Sequence, residues 1–337
     1  MARVRIKDIA DVVGLSSAAV SFALNGKPGV SDRVREEVLR VATELGWRPN
    51  AAARSLVEAR AGALGLVVAR PTDSFRGDTF YLQLIAGISR ALTRNETSLV
   101  LDIVDSLDDE IATYERWYSE HRVDGVFVVD PRVHDPRPEI LLSFDMPAVL
   151  IGGSGDTGLP GVTVSDELAM GAVVDHLADG GYRHLAYVCG IPDLTHSQRR
   201  AATFGEQAAR RGLRTEPVRF TDYSAAAGTR ATEALLSLER RPDAVVFDND
   251  GLALAGLSVL HREGVRIPDD LAVVAWEDNA MWTVLRPSIT ALGRDATALG
   301  ADAAGLLLEL LSGGARTGLD ESPPRVIVRE SSRRAAG

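Results

Sequence analysis

The chain has 337 residues, more than one ordinary domain needs, and its 45% hydrophobic and 25% charged residues are typical of a globular protein rather than a fibrous or disordered one. A single cysteine excludes an intrachain disulfide framework, and no run approaches about 18 apolar residues, which argues against a membrane-spanning helix. The net charge of −10 is uneven, since the first 60 residues carry +3 and the rest −13, and a locally basic segment suits contact with nucleic-acid phosphates.

The N-terminus lacks the apolar core of a secretory signal, since Met1-Ala2-Arg3-Val4-Arg5-Ile6-Lys7 is charged at every second or third position. Cys189 lies in an apolar run, which favours a buried, unreactive thiol over a nucleophile. Both observations predict a protein of the reducing cytoplasm without a membrane partner.

Three short helices are predicted in the first 46 residues. The first covers residues 7–13 and ends at Gly14, because glycine adopts positive φ at little cost. Ser16 is expected to cap a second helix over residues 17–24, and Ser31 a third. The apolar positions expected to share one core are Ile9, Ala10, Val13, Val20, Leu24, Val34, Val38, Val41 and Leu45. Two short helices joined by a glycine-containing turn form a helix-turn-helix.

A series of short motifs runs through the same segment. It consists of Ile6-Lys7-Asp8-Ile9-Ala10, Gly14-Leu15-Ser16, Val20-Ser21, Leu24-Asn25, Val30-Ser31, Arg35, Leu45-Gly46-Trp47-Arg48-Pro49-Asn50 and Ala53-Arg54-Ser55-Leu56. In this order the motifs resemble those of the lac repressor (LacI/GalR) family of transcription regulators. The resemblance implies a helix-turn-helix DNA-binding domain over residues 1–49 and a hinge helix or linker over residues 50–60.

The resemblance also implies which residues contact DNA, with the second helix in the major groove. They are Ser16, Ser17, Ala18, Ser21, Phe22, Asn25, Ser31, Asn50, Arg54 and Leu56. Where the family usually has Thr and Arg, this chain has Ala19 and Phe22. An arginine would bind guanine through two hydrogen bonds, whereas phenylalanine packs on a thymine methyl or fills space in the protein, and both roles stay open. The operator sequence therefore cannot be transferred from the family.

Residues 50–57 resemble the hinge helix of the family, which is too short to be stable alone. Paired across a homodimer, two such helices would insert Leu56 into the minor groove as apolar wedges. Asn50 and Arg54 flank Leu56 and suit phosphate contacts. A place for Leu56 in a protein core is the alternative.

The rest of the chain alternates short apolar runs with amphipathic stretches. This alternation predicts parallel sheets covered by helices on both faces. About ten strands are many for one sheet, so we expect an α/β body of two doubly wound subdomains of the periplasmic-binding-protein type. The candidate strands are residues 64–69, 98–104, 125–130, 148–152, 162–165, 184–190, 218–221, 244–248, 271–276 and 326–329.

Four later motifs extend the resemblance to the end of the chain. They are Val123-Asp124-Gly125-Val126, Gly180-Gly181-Tyr182-Arg183-His184-Leu185-Ala186, Asn249-Asp250 and Arg286-Pro287-Ser288-Ile289-Thr290. The resemblance implies a first lobe over residues 61–164 and 293–321 and a second lobe over residues 165–292 and 322–337. An effector would bind in the cleft between the lobes. A sugar or related metabolite is expected from the habit of the family, with a purine or nucleoside corepressor as the alternative.

The effector-binding residues are also carried over from the family. They are Phe80, Tyr81, Arg200, Tyr223, Asn249, Asp250, Glu277 and Asp278. Aromatic rings suit stacking on a sugar or base, and Arg and carboxylates suit hydroxyls or ring nitrogens. Arg200 is favoured first because a cation at a helix start opposes the helix dipole and needs a partner. As alternatives, Asp250 would cap the helix that follows it and Phe80 would belong to the core.

The chain departs from the family at two places in this set. Trp276-Glu277-Asp278 stands where the family usually has Tyr or Phe followed by two Asp, and Asp78-Thr79 stands where Asn-Pro is usual. The effector is therefore not restricted to the ligands that are usual in the family.

An enzyme is not expected. Residues 153–158 match the pattern G-x-G-x-x-G, but Leu159-Pro160-Gly161 follows instead of a helix that would bind a pyrophosphate. The sequence contains no phosphate-binding Walker motif, no nucleophile elbow and no Cys/His pairs at metal-ligand spacing. We therefore expect neither a cofactor nor a metal.

The assembly is predicted from the C-terminus. No leucine heptad follows the last strand candidate, so a tetramerising coiled coil is not expected. A homodimer on a near-palindromic double-stranded operator is expected instead. A ligand-binding module without a DNA function is the alternative.

Overall fold

The computed structural model describes residues 4–47, 60–71, 78–153, 157–314, 318–320 and 324–334. They belong to two compact units, which divide between Ala61 and Gly62. The predicted hinge contacts of Asn50, Arg54 and Leu56 lie outside the described residues. None of the helices in the described ranges combines the length and apolar character needed to span a bilayer.

The first unit contains the helices α1 (Ile6–Val13), α2 (Ser17–Leu24) and α3 (Asp32–Glu44). Gly14 follows α1 with a φ of 69°, as its position in the turn requires. Ser16 Oγ accepts a hydrogen bond from the Ala19 amide at 3.2 Å, which confirms the predicted cap of α2. Ser31 is the N-cap residue of α3, as predicted, but its side chain makes no capping hydrogen bond.

One apolar core holds these three helices together, and its buried residues are Ile9, Ala10, Val20, Ala23, Val38, Val41 and Ala42. Leu45 was predicted to belong to this core and is instead exposed. The reason is local, because α3 ends at Glu44 and Leu45 is already its C-cap residue. Val13, Leu24 and Val34 are only partly buried against the core.

The second unit is built on parallel strands. In chain order the strands are β1 (Ala63–Ala69), β2 (Ser98–Val104), β3 (Val126–Val128), β4 (Ala148–Ile151), β5 (Gly161–Thr163), β6 (His184–Cys189), β7 (Arg214–Thr215), β8 (Arg219–Phe220), β9 (Ala244–Phe247), β10 (Ala272–Ala275), β11 (Thr290–Gly293), β12 (Gly318–Asp320) and β13 (Arg325–Ile327). The sequence analysis missed β7, β11 and β12, which have two to four residues and show no usable alternation.

The strands form two separate sheets, as predicted for two doubly wound subdomains. The first sheet has the order β12-β5-β4-β3-β1-β2 and is parallel throughout. The second has the order β13-β11-β10-β9-β6-β7 with β8 on β6, and only β13 is antiparallel. The first sheet with the helices packed on it is called the first lobe below, and the second sheet with its helices the second lobe.

The helices of the second unit are α4 (Thr79–Thr93), α5 (Leu107–Ser119), α6 (Arg137–Ser143), α7 (Asp166–Asp179), α8 (Thr195–Arg210), α9 (Ala225–Leu236), α10 (Asp250–Arg262), α11 (Met281–Val284) and α12 (Ala296–Leu311). In the second lobe α7 and α8 pack on one face of the sheet, and α9 and α10 on the other. The chain passes between the lobes after β5, after β11 and after β12. These passages place the carboxyl ends of strands from both sheets around a common cleft.

Two glycines allow α4 and α12 of the first lobe to touch through their backbones. A Cβ at Gly87 would lie 2.1 Å from the Thr297 carbonyl oxygen, and a Cβ at Gly300 would lie 2.2 Å from the Leu84 carbonyl oxygen. Both distances are impossible for a real side chain, so glycine is required at each position. Gly305, on the same helix as Gly300, has no heavy atom within 4 Å of its would-be Cβ.

We therefore expect Gly300→Ala and Gly305→Ala to change stability in opposite directions. Gly300→Ala should lower the free energy of unfolding by roughly 1–3 kcal/mol, because α4 and α12 must separate. Gly305→Ala should raise it by about 0.5–1 kcal/mol through helix propensity alone. Urea unfolding of the full chain measures both, and effects of equal sign would contradict the backbone contact.

Candidate functional site

The first candidate site is the exposed face of α2. Ser17 and Ala18 at the start of the helix are exposed, and Phe22, one turn later, is 43% exposed. Val20 and Ala23 on the other side of the helix are buried in the core of the first unit. The helix therefore presents small side chains and its amino-terminal end to solvent, as a helix that enters a DNA groove must.

Besides Ser16, three predicted DNA-contact residues have partners within the protein. Asn25 Nδ2 donates to the Ser21 carbonyl oxygen at 2.8 Å and lies 3.3 Å from Ser21 Oγ. The Phe22 ring packs beside Gly29, whose would-be Cβ lies 3.4 Å from Phe22 Cδ2. Both predicted roles of Phe22 are thus compatible with the structure, since one part of its ring packs on the protein and the other is exposed.

The second candidate site is a cavity between the two lobes of the second unit. It encloses about 670 Å³ of space outside the protein atoms, part of which is open to solvent. Several of its lining residues directly follow strands, as Arg70 follows β1, Asp248 follows β9 and Arg294 follows β11. Because the carboxyl ends of parallel strands meet at one edge of a sheet, the topology brings these charges together.

Seven of the eight predicted effector-binding residues line this cavity, namely Phe80, Tyr81, Arg200, Tyr223, Asn249, Asp250 and Glu277. The prediction that Asp278 lines the cavity is wrong. Its carboxylate lies 2.7 Å from Arg329 Nη1, outside the cavity lining, because Arg329 in the C-terminal segment supplies a nearby cation. Asn249, not Asp250, caps α10, since Asn249 Oδ1 accepts from the Leu252 amide at 2.8 Å.

Arg200 is at the centre of the ion pairs of the cavity. Its Nε lies 2.7 Å from Asp166 Oδ1 and its Nη1 lies 3.0 Å from Asp248 Oδ1. The guanidinium also lies over the Trp276 ring at 4.3 Å. The argument that favoured Arg200 was wrong, because α8 begins at Thr195 and Arg200 is in its second turn with partners inside the protein.

The aromatic faces expected to stack on a ligand are partly covered. The Arg70 guanidinium lies 4.6 Å from the centre of the Tyr223 ring and 5.2 Å from that of Tyr81. The two hydroxyls donate to carboxylates, that of Tyr223 to Asp248 at 2.8 Å and that of Tyr81 to Asp130 at 2.7 Å. Both rings therefore already have the Arg70 guanidinium as a neighbour.

The carboxylates of the cavity differ in how their charge is held. Burial alone would raise the pKa of Asp130, but Arg70, bound through 2.6 and 2.9 Å hydrogen bonds, outweighs it and lowers the pKa far below its usual range. Likewise Arg200 outweighs burial at Asp166 and lowers its pKa to about 2. Burial prevails at Glu277, whose pKa rises to about 8, and at Asp78, whose pKa rises to about 6.

Comparison with known proteins identifies the family. The first unit matches the model of the lacI family of bacterial regulatory proteins over residues 5–50, and residues 174–332 match the periplasmic binding protein-like domain. The HTH-type transcriptional regulator AglR of Rhizobium meliloti is 31% identical over 281 residues, covering 82% of this chain and 78% of the relative. This chain belongs to the lacI family.

Two solved structures agree with the assignment. A LacI family transcriptional regulator from Bifidobacterium animalis subsp. lactis is 36% identical with a TM-score of 0.75, covering 82% of this chain and all of the other. The transcriptional regulator CelR in complex with cellobiose is 26% identical with a TM-score of 0.73, covering 98% of this chain and all of the other. Like these proteins, this lacI-family member is a DNA-binding transcriptional regulator and not an enzyme.

The sequence analysis of this lacI-family regulator missed much of the charge in its cavity. The missed lining residues are Arg70, Asp78, Asp130, Asp166, His196, Asp248 and Arg294. A usable signal was present for four of them, because Arg70, Asp130, Asp248 and Arg294 each follow an apolar strand within two residues. His196 is half-buried and neutral, since its burial, aided by the charge of Arg200, lowers its pKa to about 4.

We expect Glu277→Gln to stabilise this regulator increasingly as the pH rises. An acid whose pKa is higher in the folded chain than in the unfolded one costs stability above its unfolded pKa of about 4.5, and the cost grows until the pH passes about 8. Since each pKa unit is worth about 1.4 kcal/mol, the gain between pH 5 and 8 should reach roughly 3–5 kcal/mol. Denaturant unfolding at both pH values measures it, with the exposed Glu239→Gln as a pH-independent control. A gain that is the same at both pH values would contradict the buried charge.

Proposed function

We propose that this chain is a homodimeric, sequence-specific repressor of the cytoplasm whose affinity for a near-palindromic operator is controlled by a small molecule bound between its two lobes. The observation that carries the proposal is the exposed amino-terminal face of α2 in a helix-turn-helix whose opposite face is buried. Ser17, Ala18 and Phe22 on this face are free to reach base edges, while Ser16 and the helix amides suit phosphates.

Control by an effector is supported by hydrogen bonds that join the two lobes. Thr79 of the first lobe donates from its hydroxyl to Asp250 of the second at 2.5 Å. Arg199 of the second lobe donates to the Gly152 carbonyl of the first at 2.8 Å. A ligand that touches both sides must change or replace such contacts, so its binding energy couples to the relative position of the lobes.

A sugar or sugar derivative is the class of effector that relatives favour, since CelR was solved with cellobiose. A purine or nucleoside is the alternative class. Whether the ligand releases the operator or strengthens its binding follows from which arrangement of the lobes it prefers. Operator affinity measured with and without each candidate decides the sign, and an affinity that no candidate changes would remove the effector from the proposal.

The test of the DNA function is selection from random duplexes with the purified full chain. We expect a two-fold symmetric consensus, bound at least about a thousandfold more tightly than unrelated DNA at the same salt concentration. Sedimentation of the complex should show two chains per duplex. Equal affinity for all sequences would overturn the proposal.

A further inference from the structure

The charges that line the cavity do not balance. Three of the six carboxylates in its lining are closely paired, Asp130 with Arg70 at 2.6 Å, and both Asp166 and Asp248 with Arg200 at 2.7 and 3.0 Å. In these pairs Arg70 and Arg200 make their shortest ion-pair contacts. The third guanidinium of the lining, that of Arg294, lies 3.6 Å from Asp166.

Three further carboxylates, Asp78, Asp250 and Glu277, are held more weakly and are called the acidic triad. Asp78 is 3.6 Å from Arg70, and Glu277 is 3.8 Å from Arg294, both longer than a hydrogen bond. Asp250 accepts from a hydroxyl, that of Thr79, the residue next to Asp78 in the chain. The triad therefore brings together acids from both lobes without a matching cation for each.

The surroundings of Glu277 independently indicate that the cavity binds a ligand. Its side chain belongs to the cavity lining and the residue is only 9% exposed. No hydrogen bond to its carboxylate is found among the residues that the structure describes, and the 3.8 Å contact with Arg294 is its ion pair. A buried carboxylate without hydrogen bonds is costly, so its presence at this point suits a ligand that supplies the missing donor.

We propose, on the basis of the effector site assigned above, that the ligand of this cavity carries a protonated amine, as an amino sugar or an aliphatic amine does, and that the acidic triad binds it. An ammonium group donates three hydrogen bonds and brings the charge that the triad lacks. Phe80, half-buried in the same lining, is an aromatic residue of the kind that attracts cations.

Other ligand charges fit less well. A neutral sugar would supply donors but no positive charge, so the triad would have to stay partly protonated. A carboxylate or phosphate would meet the triad with a like charge, while Arg70 and Arg200 are already engaged by Asp130, Asp166 and Asp248. A metal ion is not favoured, because the described part of the chain holds no cluster of three or more His, Cys, Asp or Glu residues suited to one.

Binding of an amine should release protons, because the free cavity keeps part of the triad protonated. Burial raises the pKa of Glu277 to about 8 and that of Asp78 to about 6, and a bound cation favours the ionised forms. The charged and titratable groups that line the cavity with the triad are Arg70, Tyr81 and Asp130 from the first lobe, and Asp166, His196, Arg200, Tyr223, Asp248 and Arg294 from the second lobe and the segment that follows it. Affinity should therefore increase from pH 6 to pH 7, by up to about tenfold for each proton released.

The experiment is calorimetric titration of the full chain with two matched sets of probes. One set is glucosamine, glucose and glucuronate, and the other is 1,5-diaminopentane, 1,5-pentanediol and glutarate. In at least one set we expect the amine to bind at least about tenfold more tightly than its neutral and acidic counterparts, with proton release detected as a dependence of the heat on the buffer. If no amine in either set binds more tightly than its counterparts, or if none binds at all, the proposal is overturned.

Variants test whether the acidic triad causes the preference for an amine. Glu277→Gln should remove most of the advantage of the amine and its proton release, and Asp78→Asn, which keeps the capping group of α4, should reduce both. Glu239→Gln, the same chemical change at an exposed position, should alter neither. An amine preference that survives in Glu277→Gln and Asp78→Asn would overturn the role of the triad.

The outcome separates this proposal from the function on which it rests. A chain that selects an operator from random DNA but shows no amine preference keeps its function and loses this ligand class. A chain that prefers the amine but binds all DNA equally keeps the ligand class and loses the assignment as a sequence-specific repressor.

Discussion

Replacing Val20 by Asn is expected to lower the operator affinity of the full chain at least a hundredfold. Val20 is fully buried in the core shared by α1, α2 and α3. The change removes about 1.5–3 kcal/mol of apolar burial and buries an amide without partners, at a further cost of about 1–3 kcal/mol. A unit of this size has little stability to lose, so its helix-turn-helix should unfold.

Val12→Asn is the matched control, because Val12 is 61% exposed on α1 and the chemical change is the same. It should leave operator affinity within about twofold of that of the unchanged chain, since exposed substitutions rarely cost more than about 0.5 kcal/mol. Fluorescence titration with the selected operator measures both variants. Ligand binding in the cavity should persist in both, because its residues belong to the second unit. Full operator affinity in Val20→Asn would show that DNA is bound elsewhere.

The features that the sequence predicted correctly are those decided within a few residues. Ser16 caps α2 because its hydroxyl reaches the amide of Ala19, three positions away. β1 was visible as an apolar run, since a strand buried on both faces needs apolar side chains at every position. Leu45 was misplaced because periodicity alone does not say at which turn a helix stops.

The ion pairs of the cavity could not be predicted from local sequence patterns. Arg70 and Asp130 bind each other across 60 positions of sequence, and Arg200 and Asp248 across 48. The first pair depends on β1 and β3 lying side by side, and the second on α8 packing on the second sheet. Both are properties of the topology rather than of local pattern. Glu277 and Asp278 are neighbours in the sequence, yet Glu277 lines the cavity whereas Asp278 pairs with Arg329. Local sequence therefore does not decide which of the two lines the cavity.

Replacing Arg200 by Met is expected to lower the free energy of unfolding of the second unit by roughly 3–5 kcal/mol. Methionine keeps apolar contact with the Trp276 ring, so the loss is mainly one of charge. Asp166 and Asp248, both almost fully buried, would lose the cation between them. Denaturant unfolding at neutral pH measures the cost.

Arg210→Met on the same helix provides the control, because Arg210 is exposed and its contact with Glu206 is 4.0 Å long. An exposed pair of this kind contributes about 0–1 kcal/mol, so the control should be nearly neutral. The deficit of Arg200→Met should also shrink as the pH falls. Arg200, aided by Arg294, lowers the pKa of Asp166 to about 2 against the effect of burial. Without Arg200 the pKa of this carboxyl rises, so it takes up a proton at a higher pH and sheds its buried charge. A deficit that is independent of pH would mean that Arg200 stabilises the lobe through packing instead of charge.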